Sequence, residues 1–294
     1  MPDSSSASVL INKISAQIEG NDIILPLLPN VVAKVFEVTS NPDSSARDIS
    51  RLVMTDQTLT VKILNMANSA YYFSGEKTTS LHHAVARLGF KTITNLIITA
   101  ALDSQFHMHG HYSTLEASFW EHSLLTSFIA KEIAEKVLMD GEEAYMAGLI
   151  HDIGKTILIS MVNNAVKKMT KKIYPPHDRV EYLLRKFHSY VGCLAAKKWN
   201  MSNKICEAIY LHHRFYYSKK NRDFVALISL ADKLANIPAN GLESEAVPDM
   251  EPFKAEIKTL KISDKTMNAI IGDLPRIRKD VSEMASGVSE KTDF

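Results

Sequence analysis

The sequence has few cysteines, almost no net charge and no export signal. Its 294 residues include only Cys193 and Cys206, and the formal charge is +1. A charge so close to zero argues against a protein that holds nucleic acid by a strong field, so we expect no DNA partner. The chain opens MPDSSSASVL, without a basic start, an apolar run or a small-residue cleavage site. We therefore expect a cytoplasmic protein of bacterial type with both thiols free.

Long apolar runs are also missing. The longest apolar stretches, such as residues 96–102 and 226–230, are far shorter than the roughly 20 residues that a bilayer span needs. No Gly-rich phosphate loop is present either, and no aromatic-lined base pocket can be assigned from the sequence. These absences predict no membrane partner and leave the identity of any substrate open.

No stretch alternates long enough to indicate a strand, whereas apolar residues recur at helical spacing almost everywhere. Leu59, Ile63 and Met66 show this spacing. Side chains that favour helix starts divide the pattern into many short helices. These starts are Ser44 or Ser45, Asp56, Ser80 and Ser202, with capping-box spacing at Ser113 with Glu116 and at Asp178 with Glu181. The sequence therefore predicts an all-α, multi-helix bundle.

Side chains that bind metals well are concentrated in the helices in the middle of the chain. Imidazole nitrogen together with carboxylate oxygen suits iron, manganese, zinc or nickel, and a set without cysteine does not resemble a structural zinc clip. Seven such residues are candidates for metal ligands: His122, His151, Asp152, His188, His212, His213 and Asp232.

The doublet His151-Asp152 is the centre of this set. It lies inside AGLIHDIGK, an otherwise apolar stretch, so both polar groups should be turned away from water and need partners. Neighbouring residues of a helix project about 100° apart, so the carboxylate could bridge two ions while the imidazole binds one. Lys155, one turn beyond His151, could balance a bound anion or polarise a phosphoryl oxygen.

Structural roles compete with metal binding for some of these histidines. A single buried histidine is more often a hydrogen-bonded core residue than a ligand. In the pair His212-His213, which ends a predicted helix, one imidazole could instead be a cation that faces the helix dipole. The string His107, His109 and His111 could attract a metal, but its loop context favours a solvated turn.

The order of these ligands resembles the HD superfamily of metal-dependent phosphohydrolases. The N-terminal half is similar to one branch, the HDOD domain of bacterial signalling proteins, over about residues 25–236. Three segments carry this second resemblance: LPLLPNVVAKVFEVTSNP, ISRLVMTDQTLTVKILNMANSAYYFSG and SLHHAVARLGFKTITNLI. The resemblance implies an N-terminal segment that is partly disordered (1–20), an HDOD N-terminal helical part (21–110), an HD-type metal-binding core (111–240), and a linker and helix packed on that core (241–294).

The resemblance also implies a chemistry. It is the hydrolysis of a phosphoester or nucleotide, assisted by one or two divalent transition-metal ions, with Fe or Mn favoured over Zn or Ni. Asp152 would bridge the ions and Lys155 would stabilise phosphate charge, while one ion is held by His122, His151 and Asp232 and the other by His188, His212 and His213.

Two departures from the related HD-GYP phosphodiesterases limit this picture. Ser118 stands one turn before His122, where those enzymes have a glutamate. After His213 the chain continues RFYYS, without the glycine, tyrosine and proline run found around a cyclic dinucleotide. The resemblance therefore does not predict hydrolysis of cyclic-di-GMP.

The alternative function is a non-catalytic interaction or scaffold module in bacterial signal transduction, with a signalling protein as its partner. The N-terminal half offers small and aromatic residues for such a surface: Ala67, Ala70, Tyr71, Tyr72 and Phe73. For the aromatic residues among them, core packing is the competing interpretation.

Overall fold

The computed structural model describes residues 4–40, 44–73, 75–106, 110–238 and 249–289. Within these ranges the chain forms α-helices and short 3₁₀ turns but no strand, which confirms the all-α prediction. The helices are α1 (Ser4–Glu19), α2 (Asn30–Ser40), α3 (Ala46–Val53), α4 (Gln57–Ala67), α5 (Leu81–Leu88), α6 (Phe90–Phe106), α7 (Ser113–Lys136), α8 (Gly141–Ile150), α9 (Ile153–Lys167), α10 (His177–Lys198), α11 (Asn203–Leu211), α12 (Arg222–Ala235), α13 (Lys254–Leu260) and α14 (Asp264–Ser289).

Several predicted helix starts are confirmed by side-chain caps. The Asp56 carboxylate accepts a hydrogen bond from the main-chain N–H of Leu59 at 3.0 Å. Ser80 and Ser202 cap α5 and α11 in the same way. Each cap satisfies a main-chain donor that has no partner inside its helix, and this explains why the helices begin at these residues.

The two predicted capping boxes, at Ser113 and Asp178, are wrong. The N-cap of α7 is Tyr112 rather than Ser113, and α10 begins at His177 after Pro176. Tyr112 is fully buried and its hydroxyl donates a hydrogen bond to the Pro175 carbonyl at 2.6 Å. This tertiary contact ties the starts of the two helices together, so a local side-chain cap is not what positions them.

Two groups of helices make up most of the fold. In the first, α2 to α6 pack on one another, with α6 contacting both α2 and α4. In the second, α7 packs along α8 and is crossed by α12, while α9 packs on α10 and α10 on α11. Contacts of α6 with α7 and α8 join the groups, and the second group contains all seven predicted ligands.

The two ends of the chain pack on these groups. The first helix begins at Ser4 and occupies most of the N-terminal segment (1–20) for which the resemblance implies partial disorder. It lies against α9 and α10 and buries Leu10, Ile11, Ile14 and Ile18, and this apolar face explains why the segment is helical. At the other end α14 contacts α7 and α4. The four-part division of the chain stays a prediction.

Two further expectations concern single features. Cys193 and Cys206 are both buried and free. In the described ranges, no helix combines the length and the apolar character needed to cross a bilayer. The start of the predicted linker, residues 241–248, lies outside the described residues.

Candidate metal centre

The sequence predicts that the doublet His151-Asp152 lies inside a helix. In the structure it lies between two helices. His151 follows the last residue of α8, and Asp152 is the N-cap of α9. Both side chains are buried, with exposures of 0% and 3%. The break turns the carboxylate out of the helical path and into the space between α7, α10, α11 and α12. The local apolar pattern could not show this break, because it continues through the doublet.

A close approach of α9 to α10 brings further ligands to this point. A Cβ atom on Gly154 would lie 2.0 Å from the carbonyl oxygen of His188, and one on Gly192 would lie 3.3 Å from the nitrogen of Gly154. Any side chain at Gly154 would therefore force the helices apart. The two glycines let the main chain of α9 touch that of α10 next to His188.

Three buried imidazoles are oriented by their own helices. A carbonyl oxygen only accepts hydrogen bonds, so each Nδ1 that contacts one must carry a proton, and Nε2 is the nitrogen left to bind an ion. In each case the acceptor is a main-chain carbonyl one turn earlier: Gly148 for His151 at 2.7 Å, Leu184 for His188 at 2.8 Å and Ile209 for His212 at 2.8 Å. All three rings thus direct a free Nε2 toward the same space, the tautomer that metal ligands adopt.

The Asp152 carboxylate lies between two pairs of imidazoles. Its Oδ2 is 3.4 Å from Nε2 of His151 and 4.0 Å from Nε2 of His122. Its Oδ1 is 3.5 Å from Nε2 of His188 and 3.8 Å from Nε2 of His212. One oxygen therefore faces each pair, as the predicted bridging role requires.

Asp232, on α12, is the second buried carboxylate. Its Oδ1 is 3.0 Å from Nε2 of His122, and its Oδ2 is 3.6 Å from Nδ1 of His213. The amide of Asn236, one turn later, donates a hydrogen bond to Oδ1 at 3.1 Å. These contacts hold the carboxylate between His122 and His213.

His213 is where the cluster meets the surface. Half of its side chain is exposed (51%), and its Nε2 lies 3.1 Å from Nε2 of His188. The other members of the cluster are buried or nearly so, so a small molecule would reach the centre past this imidazole.

The charges of the cluster depend on one another. Burial alone would raise the pKa of the Asp152 and Asp232 carboxyls, but the surrounding imidazoles hold both well below their usual range. Burial opposes a charge on His151, yet the two carboxylates outweigh it and raise its pKa to about 10. Burial lowers the pKa of His188 to about 4, and that of His212 falls well below its usual value. The carboxylates thus attract positive charge into a space where two imidazoles stay neutral.

Several buried atoms at the centre have no hydrogen-bond partner. They are Nε2 of His151, Oδ1 of Asp152 and Nε2 of His212. Burying polar atoms without a partner is unfavourable, and a metal ion that replaces the proton on His151 would satisfy all three. Three groups of three ligand atoms lie within 4.8 Å of one another: His188, His212 and His213; His122, His151 and Asp152; and His151, His212 and Asp232. The donor set therefore fits a divalent metal ion.

The structure brings all seven predicted ligands together, and it places Lys155 beside them. The Lys155 ammonium contacts Oδ2 of Asp152 and lies 5.2 Å from the centre of the Phe119 ring. In this position it compensates the buried carboxylate. Of the competing histidine string, His107 and His109 lie outside the described residues, and His111 stacks on Tyr174 with ring centres 4.3 Å apart.

The family model of the HDOD domain matches residues 25–215. The chain belongs to the HDOD family. The matched range includes six of the seven candidate ligands, and Asp232 follows it. Ser118, where the HD-GYP relatives have a glutamate, is exposed and its hydroxyl donates a hydrogen bond to the Leu115 carbonyl at 2.8 Å.

Individual relatives of this HDOD chain agree with the fold. A candidate metal-dependent phosphohydrolase from Shewanella amazonensis superposes with a TM-score of 0.72 at 20% identity, over 94% of this chain and 99% of the other. An uncharacterized protein of Treponema pallidum is 23% identical over 82% of this chain and 47% of its own length. Ribonuclease Y of Mycoplasma mycoides is 23% identical over 76% of this chain and 46% of its own length. The chain spans about half the length of these two curated relatives.

Sequence reasoning missed the residues that support the ligands. Asn236 follows Asp232 by four residues, a spacing that places both on one helix face and could have been noticed. Ser189, whose hydroxyl lies 3.0 Å from Nε2 of His188, gave no such signal. Gly154 and Gly192 could be recognised only after the packing of α9 on α10 was known.

Proposed function

We propose that this HDOD chain is a metal-dependent phosphohydrolase in which Asp152 bridges two divalent ions. The observation that carries the proposal is the division of the Asp152 carboxylate, with Oδ2 toward His151 and Oδ1 toward His188. Free Nε2 lone pairs on both sides support two ion positions rather than one. The Shewanella and Mycoplasma relatives, whose names denote phosphohydrolase and ribonuclease chemistry, support a phosphoester as substrate.

Each proposed ion has a ligand set from different helices. His122, His151 and Asp232 would hold one ion, and His188, His212 and His213 the other. The resemblance to the HD proteins favours iron or manganese over zinc or nickel, while the set of nitrogen and oxygen ligands suits all four metals. When bound, such ions supply Lewis-acid polarisation of the phosphoester and a lowered pKa for water.

The protein's own residues would position the substrate and balance its charge. Lys155 is 22% exposed, so its ammonium can move from Asp152 toward a phosphate once the carboxylate is neutralised by an ion. The buried imidazoles keep their orientation through their main-chain hydrogen bonds.

Metal content and phosphodiester hydrolysis together test this function. We expect at least one transition-metal ion per chain, and hydrolysis of bis(p-nitrophenyl) phosphate that increases with added manganese. Asp152→Ala should lose both, whereas Asp178→Ala, a control on the exposed start of α10, should lose neither. A wild-type chain that binds no iron or manganese would overturn the proposal.

The same measurements decide about the alternative, an interaction module in signal transduction. If the wild type binds metal but Asp152→Ala leaves every hydrolysis rate unchanged, the interaction module is favoured. The predicted docking surface is less available than the sequence indicates. Ala67 and Tyr72 are buried, and the Tyr71 ring packs edge-on against Phe128 at 4.5 Å, whereas Phe73 is half-exposed.

A further inference from the structure

A cavity of about 500 Å³ opens beside the candidate metal centre. It lies between the end of α1, the middle of α10 and the end of α11, and both His188 and His213 line it. Its volume is typical of pockets that bind a ligand of nucleotide size. A molecule in this cavity would touch the exposed imidazole of the cluster.

The lining of the cavity is cationic. Arg185, Lys186 and Arg214 contribute three positive charges and Glu19 one negative charge, so the net charge is +2. Lys186 and Glu19 neutralise each other through an ion pair of 2.8 Å. Among the described residues, the guanidinium groups of Arg185 and Arg214 have neither an ion pair nor a hydrogen bond. Two free arginines next to a metal site are suited to a phosphate group, which they can contact with paired donors.

Two tyrosines give the cavity a second chemical character. Tyr190 and Tyr210 are partly exposed, at 36% and 41%, and both line the cavity. Exposed aromatic rings beside a cationic groove are the features on which bases stack. Phosphate and planar-ring recognition thus occur within one cavity of suitable size.

The chain that leaves the cavity continues both features. The segment that follows Arg214 contains Lys219, Lys220 and Arg222, and its Tyr216 and Tyr217 are more than half exposed. Glu207 of α11 fixes this segment, because its carboxylate accepts hydrogen bonds from Ser218 at 2.8 Å and Asn221 at 2.6 Å. A polynucleotide with one end in the cavity would meet a preformed basic and aromatic segment.

We propose that this cavity binds a nucleoside phosphate unit, with Arg185 and Arg214 on its phosphate and Tyr190 or Tyr210 against its base. The unit is either a free nucleotide or the end of a single-stranded RNA. As a binding site the cavity is independent of catalysis. Only the assignment of the bound unit as substrate rests on the proposed phosphohydrolase function.

Equilibrium binding to the metal-loaded protein tests the proposal. We expect AMP to bind more tightly than adenosine or inorganic phosphate, because only AMP engages both features. Arg185→Gln with Arg214→Gln should weaken AMP binding by ~10-fold or more, in line with the loss of charged hydrogen bonds. Arg179→Gln, an exposed cation six residues before Arg185 on the same helix, is the matched control and should bind AMP like the wild type.

The metal content of each variant separates a lost contact from a damaged site, since Arg214 adjoins His213. Arg185→Gln alone provides a second variant, and because Arg185 lies three residues before His188 on α10, its metal content is measured in the same way. A short single-stranded RNA distinguishes the two sources: Lys219→Gln with Lys220→Gln should weaken RNA binding and leave AMP binding unchanged if the natural ligand is an RNA end. If these two substitutions change AMP binding and RNA binding equally, or change neither, the natural ligand is the free nucleotide.

The results also separate this proposal from the proposed function. If AMP does not bind the wild type, or binds the arginine variants as well as the control, the nucleotide site is wrong even if bis(p-nitrophenyl) phosphate is hydrolysed. If AMP binding depends on the arginines but no phosphoester is hydrolysed, the site stands and the phosphohydrolase function is wrong.

Discussion

A polar cluster lies at each end of α8, and the two clusters differ in whether their buried atoms have hydrogen-bond partners. At its start, the Glu142 carboxylate accepts hydrogen bonds from Thr92 at 2.8 Å, Asn95 at 2.7 Å and Lys131 at 2.5 Å. At its other end, His151 and Asp152 each keep a buried atom without a hydrogen-bond partner. The first cluster joins α6, α7 and α8 and is complete within the protein. The second cluster contains more ionisable groups, and some of its buried atoms have no hydrogen-bond partner.

This difference separates a structural cluster from a functional one. Buried polar groups in native proteins normally find partners, and a local failure to do so at several converging atoms indicates a missing ligand. Burial and charge alone do not distinguish the two ends of α8, since both contain low-exposure carboxylates. The buried atoms without a hydrogen-bond partner distinguish the two ends. They indicate a cation site only at the end that contains His151 and Asp152.

The largest effect on stability is expected at the complete cluster. Glu142→Ala leaves Lys131, which is only 10% exposed, without its counter-ion. Breaking a buried pair in this way typically costs ~3–5 kcal/mol, so we expect a loss of this size in chemical denaturation. Metal content should not change.

The neighbouring residue provides the control. Glu143 pairs with Lys204 at 2.6 Å, and both side chains are about a third exposed. Glu143→Ala should therefore cost no more than ~1 kcal/mol. Equal losses for the two variants would contradict the view that the Glu142 cluster is a buried structural unit.

Removal of metal should have the next largest effect, at the other end of α8. A ligand present at about 100 times its dissociation constant stabilises the native state by ~2.7 kcal/mol. For a chain of this size a chelator should therefore lower Tm by ~5–10 °C, and manganese should restore it. In Asp152→Ala neither addition should shift Tm. A wild-type Tm that is indifferent to both would remove the distinction between the clusters.

Lys155→Met should sharpen the comparison by linking charge to metal. Without the ammonium, the buried Asp152 carboxylate loses a charged hydrogen bond, which is typically worth ~2–3 kcal/mol. We expect this loss in denaturant titrations of metal-free protein and a smaller loss with saturating manganese, because an ion compensates the same carboxylate. The same loss in both states would show that Lys155 does not compete with an ion for Asp152.

The smallest effect is expected at a polar pair at the end of α4. Asn68 accepts a hydrogen bond from the Thr78 N–H at 2.7 Å and donates one to the Thr78 carbonyl at 2.8 Å. Asn68→Ala should reduce the free energy of unfolding by ~1–2 kcal/mol. Metal stoichiometry should equal that of the wild type, and a reduced metal content would mean that the two halves of the fold are coupled.

Sequence reasoning predicted what is encoded locally. The caps at Asp56, Ser80 and Ser202 and the all-α fold follow from short-range rules, and these were confirmed. The gathering of ligands from His122 to Asp232 was predicted from their order and family resemblance. The assignment of each residue to an ion stays a prediction.

The remaining features depend on contacts between distant segments. The capping boxes at Ser113 and Asp178 were wrong because the Tyr112 hydroxyl reaches Pro175 across the fold. The helix break at His151-Asp152 has no local signal, since the apolar pattern continues through it. The division of the Asp152 oxygens between two imidazole pairs requires the relative placement of four helices, which no sequence period contains.

Gly154 and Gly192 let the main chains of α9 and α10 touch. The main chain therefore sets the spacing of these two helices beside the metal centre. The main chains that carry Asp152 and His188 are in direct contact, so their spacing cannot change unless the two helices move. A wider spacing of α9 and α10 beside the centre would therefore have to begin with a substitution at Gly154 or Gly192, two residues that carry no ligand atom.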